Sequence, residues 1–183
     1  AAADGPGIPR HAARHSGFTQ RARPSSRRWA KLAWWQSDAP VAPARGGGLA
    51  MLQGLPPILD AGVTALILGS FPSPASLAAA HYYAHRQNQF WRLLGVLLEE
   101  PLPEVDYVEK QRLLLRHHIG VWDVYQQCLR QGALDAAIQS PAANDFLRLR
   151  NEAPGLRRVC FNGQTAGKFA GWFQQQGYET WVL

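Results

Sequence analysis

Two short segments hold most of the chemistry that this sequence could perform. Gly69-Ser70-Phe71-Pro72-Ser73-Pro74-Ala75-Ser76-Leu77 is followed closely by Tyr82-Tyr83-Ala84-His85-Arg86-Gln87-Asn88-Gln89-Phe90-Trp91. Small residues and prolines where a strand gives out make a rigid loop whose backbone N–H groups can face an anion or a planar ligand. Gly69 and Pro72 are equally readable as turn punctuation. Asn88, just ahead of Phe90-Trp91, has the type and place of a helix N-cap. Its side-chain amide could instead hold a water molecule in position. Asp123 is a carboxylate at a strand end, open to reading as a ligand acceptor or as the cap of a neighbouring loop. Asn162 and Gly163 end one strand and begin a helix, where they make the turn or, as the minority reading, bind a phosphate. Among the histidines, adjacent His117 and His118 point in different directions on a helix and read as a solvated helix end; His85 reads as a polar member of a pocket rim. Cys128 and Cys160 lack the CxxC or CxxH neighbours of a zinc site and read as reduced, cytosolic, buried thiols. No metal and no cofactor is expected.

The elements that must position these residues alternate in type. Val63-Thr64-Ala65-Leu66-Ile67-Leu68, between Gly62 and Gly69, is a short apolar run of the kind buried on both faces, and is expected to be the central strand. Phe90, Leu93, Leu94 and Leu97 fall at helical spacing, and residues 105–117 read as a second helix. Residues 119–125 return to strand. Ser140-Pro141 through Arg150 suggests a capped short helix, and Arg158-Val159-Cys160-Phe161 a third strand. Ala166, Phe169, Ala170 and Phe173 sit at i, i+3, i+4, i+7 on a further helix, and residues 179–183 form a fourth strand. The order predicts an α/β fold, a three-layer α/β/α sandwich with a central, mostly parallel four-stranded sheet, and ligands at the carboxyl ends of the strands.

With 183 residues the chain has length for one ordinary domain. No run approaches the roughly 18 apolar residues of a membrane helix. The net charge of +6 suggests nucleic acid until it is located. Residues 1–50 carry eight basic and two acidic side chains, whereas residues 51–183 carry eleven of each. Bulk charge is therefore a property of the first fifty residues. These are rich in Ala, Arg, Pro, Gly and Ser and end in Arg45-Gly46-Gly47-Gly48, so they are expected to be a disordered basic extension, or sequence upstream of a functional start at Met51, the sole methionine. A transit peptide is a further, less favoured reading.

Taken together, Gly69 to Ser73, Ser76-Leu77 and residues 82–91 resemble the first motif of the uracil-DNA glycosylase superfamily, and most closely its hypoxanthine (deoxyinosine) branch, which reads like GSFPS, SL, YYAHPxNxFW. The likeness continues through Gly120-Val121-Trp122-Asp123-Val124, Cys128, Arg130, Gly132-Ala133-Leu134-Asp135, Ile138, Asn144-Asp145-Phe146, Phe161-Asn162-Gly163, Ala166 and Phe169. It spans about residues 51–183. Arg86 stands where the branch usually has proline. The second main motif, which looks like LPSTSPAN after the last strand, is missing where the chain ends at Val182-Leu183, so the expectation is a C-terminally truncated glycosylase-like domain.

The resemblance implies an enzyme that flips a deaminated base out of DNA and hydrolyses its N-glycosidic bond, without metal or cofactor. Tyr83 and Phe71 become candidates for the aromatic platform under the base, Tyr83 by alignment with the stacking aromatic of mismatch-specific relatives; either could instead be core. Asn88 becomes the catalytic candidate, holding a water beneath the sugar C1′. The stretch Gly69 to Ser73 has neither a carboxylate nor a lysine, so a monofunctional enzyme without β-elimination is expected. Asp123 lies near where uracil-specific relatives place a base-reading asparagine. An ionised carboxylate accepts the N1–H of hypoxanthine and is repelled by N1 of adenine, but it suits uracil equally. Gly69, Ser70, Ser73, His85, Asn162 and Gly163 complete the expected loop and DNA-phosphate set. Tyr83, Phe71, Asn88 and Asp123 are expected to converge on one cavity. A uracil or mismatch glycosylase, and a non-catalytic α/β module binding nucleic acid through its basic arm, are the alternatives. The partner is single- or double-stranded DNA, the protein a monomer and its place the cytoplasm, in association with the nucleoid.

Overall fold

The computed structural model describes residues 50–183. The expected extension over residues 1–50 therefore lies outside the described residues, apart from Ala50. A four-stranded sheet forms the centre, built from β2 (Ala65–Gly69), β3 (Ile119–Asp123), β6 (Arg158–Phe161) and β7 (Glu179–Val182). Its spatial order is β3-β2-β6-β7 and every pairing is parallel. The chain leaves β2 to form a neighbour on one side and later returns to form β6 on the other, so the carboxyl end of β2 is a topological switch point where a crevice opens.

Both faces of the sheet are covered. Val121 and Trp122 are consecutive on β3, so they point to opposite faces, and both are buried. Leu66 and Leu68 share one face of β2 and are wholly buried, as are Val159 and Phe161 of β6. Leu and Val side chains on doubly covered strands each contribute about 1.5–3 kcal/mol by leaving water. Helices α1 (Pro74–Ala79), α2 (Phe90–Leu98) and α3 (Tyr107–Arg116) lie in the connection from β2 to β3; α4 (Leu149–Glu152) precedes β6, and α5 (Gln164–Gly167) and α6 (Ala170–Gln175) follow it. No helix among the described residues is long and apolar enough to cross a membrane.

Three expectations change. The stripe on α2 is rotated: Trp91, Leu94 and Gly95 face inward, whereas Leu93 and Leu97 are exposed. The Trp91 indole N–H donates to the Tyr82 carbonyl at 2.9 Å, and the Gly95 face meets the chain at Glu100 and Pro103, which together set the inward side. The helix carrying Ala166 to Phe173 is split at Lys168 and Phe169, although Ala166 and Phe173 are both fully buried as their spacing requires.

The third change is larger. Residues beyond Asp123 enter a second, three-stranded antiparallel sheet of β1 (Met51–Gln53), β4 (Tyr125–Leu129) and β5 (Gln139–Ala143), ordered β1-β4-β5. Ser140 and Pro141 are thus in a strand and do not start a helix. Proline is tolerated because β5 is an edge strand. The helix start lies a few residues further on: the Asp145 carboxylate accepts the Leu147 N–H at 3.0 Å and begins a short 3-10 turn, Phe146–Arg148, leading into α4. Cys128 is buried and Cys160 only half-buried; both are free thiols.

Candidate functional site

The loop after β2 is held by an internal scaffold of hydrogen bonds. Ser73 caps α1, accepting the Ser76 N–H at 3.1 Å, with Pro74 at the first helical position. The Ser76 hydroxyl, buried, bonds Ser73 Oγ at 3.0 Å and accepts the Ala84 N–H at 3.2 Å. It thereby ties the segment containing Tyr83 back onto α1. Tyr82 anchors the same segment from the other side. Its hydroxyl donates to the Leu55 carbonyl at 3.1 Å, its N–H donates to the Tyr107 hydroxyl at 3.0 Å, and its carbonyl receives the Trp91 indole.

These anchors matter because Tyr83 sits at φ +54°, the left-handed region. A non-glycine residue there costs about 1–2 kcal/mol, and the neighbouring bonds must hold it. The conformation stacks the Tyr83 ring on Phe90, with centroids 3.7 Å apart and planes at 16°. It also directs the Tyr83 hydroxyl to the strand ends, where it accepts from Asn162 Nδ2 at 3.1 Å. Burial, followed by the charge of Asp123, pushes the Tyr83 phenol well above its ordinary range, so it stays a neutral hydroxyl.

Asp123 ends β3 beside Gly69, which ends β2. A Cβ placed on Gly69 would overlap Asp123 Oδ1 and stand 3.3 Å from the Tyr83 hydroxyl oxygen, so only glycine leaves room for the carboxylate here. Asp123 is 4% exposed, and its Oδ2 has no hydrogen-bond partner within the described residues. Burial first, then the nearby charge of Asp135, raise the carboxyl to about 7, with the Arg130 guanidinium opposing them. Asn144, itself buried, donates Nδ2 to the Asp123 carbonyl at 2.8 Å and fixes the backbone that carries this group. A buried carboxyl raised to about 7, with one oxygen lacking a partner among the described residues, is a candidate to hydrogen-bond a ligand.

The remaining expected residues divide by task. Ser70 Oγ donates to Asp135 Oδ1 at 2.7 Å, tying the loop to the turn Asp135–Ala137. Phe71 is 6% exposed, with Arg130 lying 5.1 Å over its ring, and Arg130 Nη2 donates to the Pro72 carbonyl. Phe71 therefore supports the loop from below and offers no free face to a planar ligand. His85 and Asn88 are exposed and close a turn on each other, the Asn88 N–H donating to the His85 carbonyl at 2.8 Å. Asn88 Oδ1 accepts the Phe90 N–H at 2.9 Å, as a cap does. A carbonyl oxygen has two lone pairs, so the cap orients the amide and leaves one acceptor direction open. Gly163, at φ +103°, makes the turn into α5, which is only four residues long. Tyr83 and Asn88 share a cleft of about 750 Å³, but Asp123 and Phe71 do not line it. The four residues thus do not surround one cavity: Tyr83 is the member common to the cleft and the strand-end junction. Ser76, Tyr82, Arg130 and Asn144 belong to the segments that carry the family likeness, but their contacts could not be read from the sequence, because the partners of Tyr82, Arg130 and Asn144 lie 21 to 58 residues away. His117 bonds Glu100 and His118 the Gly62 carbonyl, away from this site. Among the described residues, no three His, Cys, Asp or Glu side chains are grouped as metal ligands would be.

No family model matches the sequence. Two curated proteins are similar to it along most of their length. The hypoxanthine DNA glycosylase of Methanosarcina barkeri is 40% identical over 131 residues, covering 72% of this chain and 83% of its own. That of Methanosarcina acetivorans matches with the same identity and coverage. A solution NMR structure from Methanosarcina acetivorans, provisionally described as a uracil DNA glycosylase, superposes with a TM-score of 0.68 at 40% identity, covering 73% of this chain and 83% of that one.

Two outcomes test the strand-end junction. Gly69→Ala lowers stability by about 1–3 kcal/mol in urea denaturation because its Cβ collides with the carboxylate. In an Asp123→Ala background the same change is nearly silent, and equal penalties in both backgrounds would disprove the contact. Because folding raises the Asp123 carboxyl from 3.8 to about 7, the stability it allows is full in acid and is lost as pH climbs through that interval. Asp123→Asn therefore raises Tm little at pH 3 and clearly at pH 8, as followed by thermal melts.

Proposed function

The chain belongs to the hypoxanthine DNA glycosylase family within the uracil-DNA glycosylase superfamily, and from that premise we propose that it excises hypoxanthine, the base of deoxyinosine, from DNA. As a DNA glycosylase it hydrolyses an N-glycosyl bond. The observation that carries the base assignment is the unpartnered Asp123 carboxyl, set against Gly69 beside the Tyr83 hydroxyl. A base extruded from the duplex rests against the Tyr83–Phe90 aromatic pair and presents its edge to the strand ends. Ionised Asp123 accepts N1–H of hypoxanthine. Adenine has a lone pair at that position and would set acceptor against acceptor.

The Asn88 carboxamide, oriented by the Phe90 N–H, holds the attacking water beneath C1′. As the bond from C1′ to N9 breaks, its electron pair leaves with the base, which takes up a proton from solvent, while the water oxygen joins C1′ and gives its own proton up to solvent. The stretch Gly69 to Ser73 contains no lysine to form an imine, which supports hydrolysis without strand cleavage. Uracil also offers an N–H donor to Asp123, so it forms the competing substrate in any assay.

The test is release of free base from duplexes carrying deoxyinosine or deoxyuridine. The intact chain is expected to release hypoxanthine faster than uracil, and failure to release hypoxanthine ends the reading. Asn88→Ser keeps a capping oxygen, so stability stays within about 0.5 kcal/mol of the parental value, while base release falls at least tenfold. An active Asn88→Ser enzyme would leave Asn88 as a cap alone. Removing the charged hydrogen bond in Asp123→Ala slows hypoxanthine release about ten- to a hundredfold, matching about 1.5–3 kcal/mol. The parental rate falls as pH drops below about 7, where Asp123 gains its proton.

A further inference from the structure

The cleft that holds Asn88 and one side of Tyr83 has a character of its own. Its rim carries Arg86 from the loop, Arg92 from α2 and Lys110 from α3, and its wall carries Trp91 and Tyr107 with His81 stacked on Tyr107, ring centroids 3.9 Å apart. Residues 51–183 have balanced charge, so three cations around one cleft are a local segregation. Four other arginines are paired with carboxylates, Arg112 with Glu109, Arg116 with Glu100, Arg148 with Glu152 and Arg158 with Glu179, whereas Arg130 and Arg150 donate to the Pro72 carbonyl and to Gln176 instead. Among the described residues, Arg86, Arg92 and Lys110 have no such carboxylate; Lys110 lies 5.7 Å over the Trp91 ring. The one carboxylate in the lining, Asp106, is occupied at the start of α3, accepting the Glu109 N–H at 2.8 Å.

Three cations without a carboxylate partner beside an aromatic wall, Lys110 over the Trp91 ring itself, form the chemistry that takes a polyanionic strand, with phosphates on the charges and rings or sugars against the wall. The aromatic wall is rigid, because Tyr82 is bonded to both Tyr107 and Trp91. Continuity with Asn88 and Tyr83 decides which polyanion. A strand lying in this cleft delivers its next nucleotide directly to those residues, which neither an acidic peptide nor a free nucleotide would need.

We propose that this cleft is a second DNA-contacting surface, in which Arg86, Arg92 and Lys110 hold backbone phosphates of the strand flanking the extruded nucleotide. The proposal rests on the glycosylase reading of the site. Phosphate contacts position the strand without reading its sequence, so they act equally on damaged and undamaged duplex.

Fluorescence anisotropy with an inosine-containing duplex and its undamaged counterpart, over a series of salt concentrations, provides the test on the full chain. Arg92→Gln combined with Lys110→Gln is expected to weaken binding of both duplexes about tenfold or more and to reduce the slope of log K against log salt by about 2, close to 0.9 for each phosphate no longer neutralised. Arg92→Lys combined with Lys110→Arg keeps both charges and retains the parental slope. Arg158→Gln, across the sheet order at the pair with Glu179, serves as the control for removal of charge alone. A slope unchanged in the double glutamine variant, or changed no more than in Arg158→Gln, overturns the proposal. Because the readout is binding, a parental chain that holds DNA with the expected slope yet releases no hypoxanthine overturns the functional reading and leaves the cleft supported.

Discussion

The close approach of the Asp123 carboxylate to the Cα of Gly69 is the constraint on which the site depends. Two neighbouring parallel strands end in register, Gly69 opposite Asp123, and the absence of a side chain on one makes room for the charge on the other. A buried carboxyl with an orphaned oxygen is unfavourable in a folded protein unless a partner arrives. The fold keeps that cost bearable through the Arg130 charge, the Asn144 bond to the backbone and a carboxyl that holds its proton up to about pH 7. The ionised form of the group can be satisfied by a hydrogen-bond donor, the protonated form by an acceptor.

Strain is also present one layer away. Tyr83 adopts a left-handed conformation that a tyrosine alone would leave, and the bonds from Tyr82 and Ser76 on either side hold it there. What results is an aromatic ring with one face taken by Phe90 and a hydroxyl held by Asn162. Local backbone strain of this kind is stable only where the surroundings over-determine it. The site thus divides into Tyr83 and Asp123, which meet at the strand ends, and groups such as Phe71, Ser73, Ser76 and Arg130 that hold the loop in place. Charge follows a similar division: the strand-end junction is tight and buried around a single carboxyl, whereas the adjoining cleft is open and cationic.

Much of the architecture was legible in the residues themselves. Short apolar runs mark the strands β2 and β3, and spacing of three and four marks the helices, because both periods arise from backbone geometry that each segment carries alone. Gly69 to Ser73 and Tyr82 to Trp91 stand out by composition, and their order carries the family likeness. The inward face of α2 was not legible, because two apolar stripes compete there and Trp91 settles the choice through a bond to Tyr82. Ser140-Pro141 imitates a helix start because the same residue types also suit an edge strand.

The amino-acid sequence by itself determined the alternation of elements, the position of the loop at the end of the first sheet strand and the family to which the motifs point. Only tertiary structure decided which atoms meet: Asn162 with Tyr83, Ser70 with Asp135 and Arg130 with Pro72 are contacts between residues 79, 65 and 58 positions apart. It also decided that Phe71 supports the loop while Tyr83 stacks on Phe90 and reaches the strand ends, and that β4 departs into a second sheet. The physical reason is range. Periodicity reports the face on which a side chain lies, whereas the partner it meets there is chosen by how separate segments pack once the chain has closed on itself.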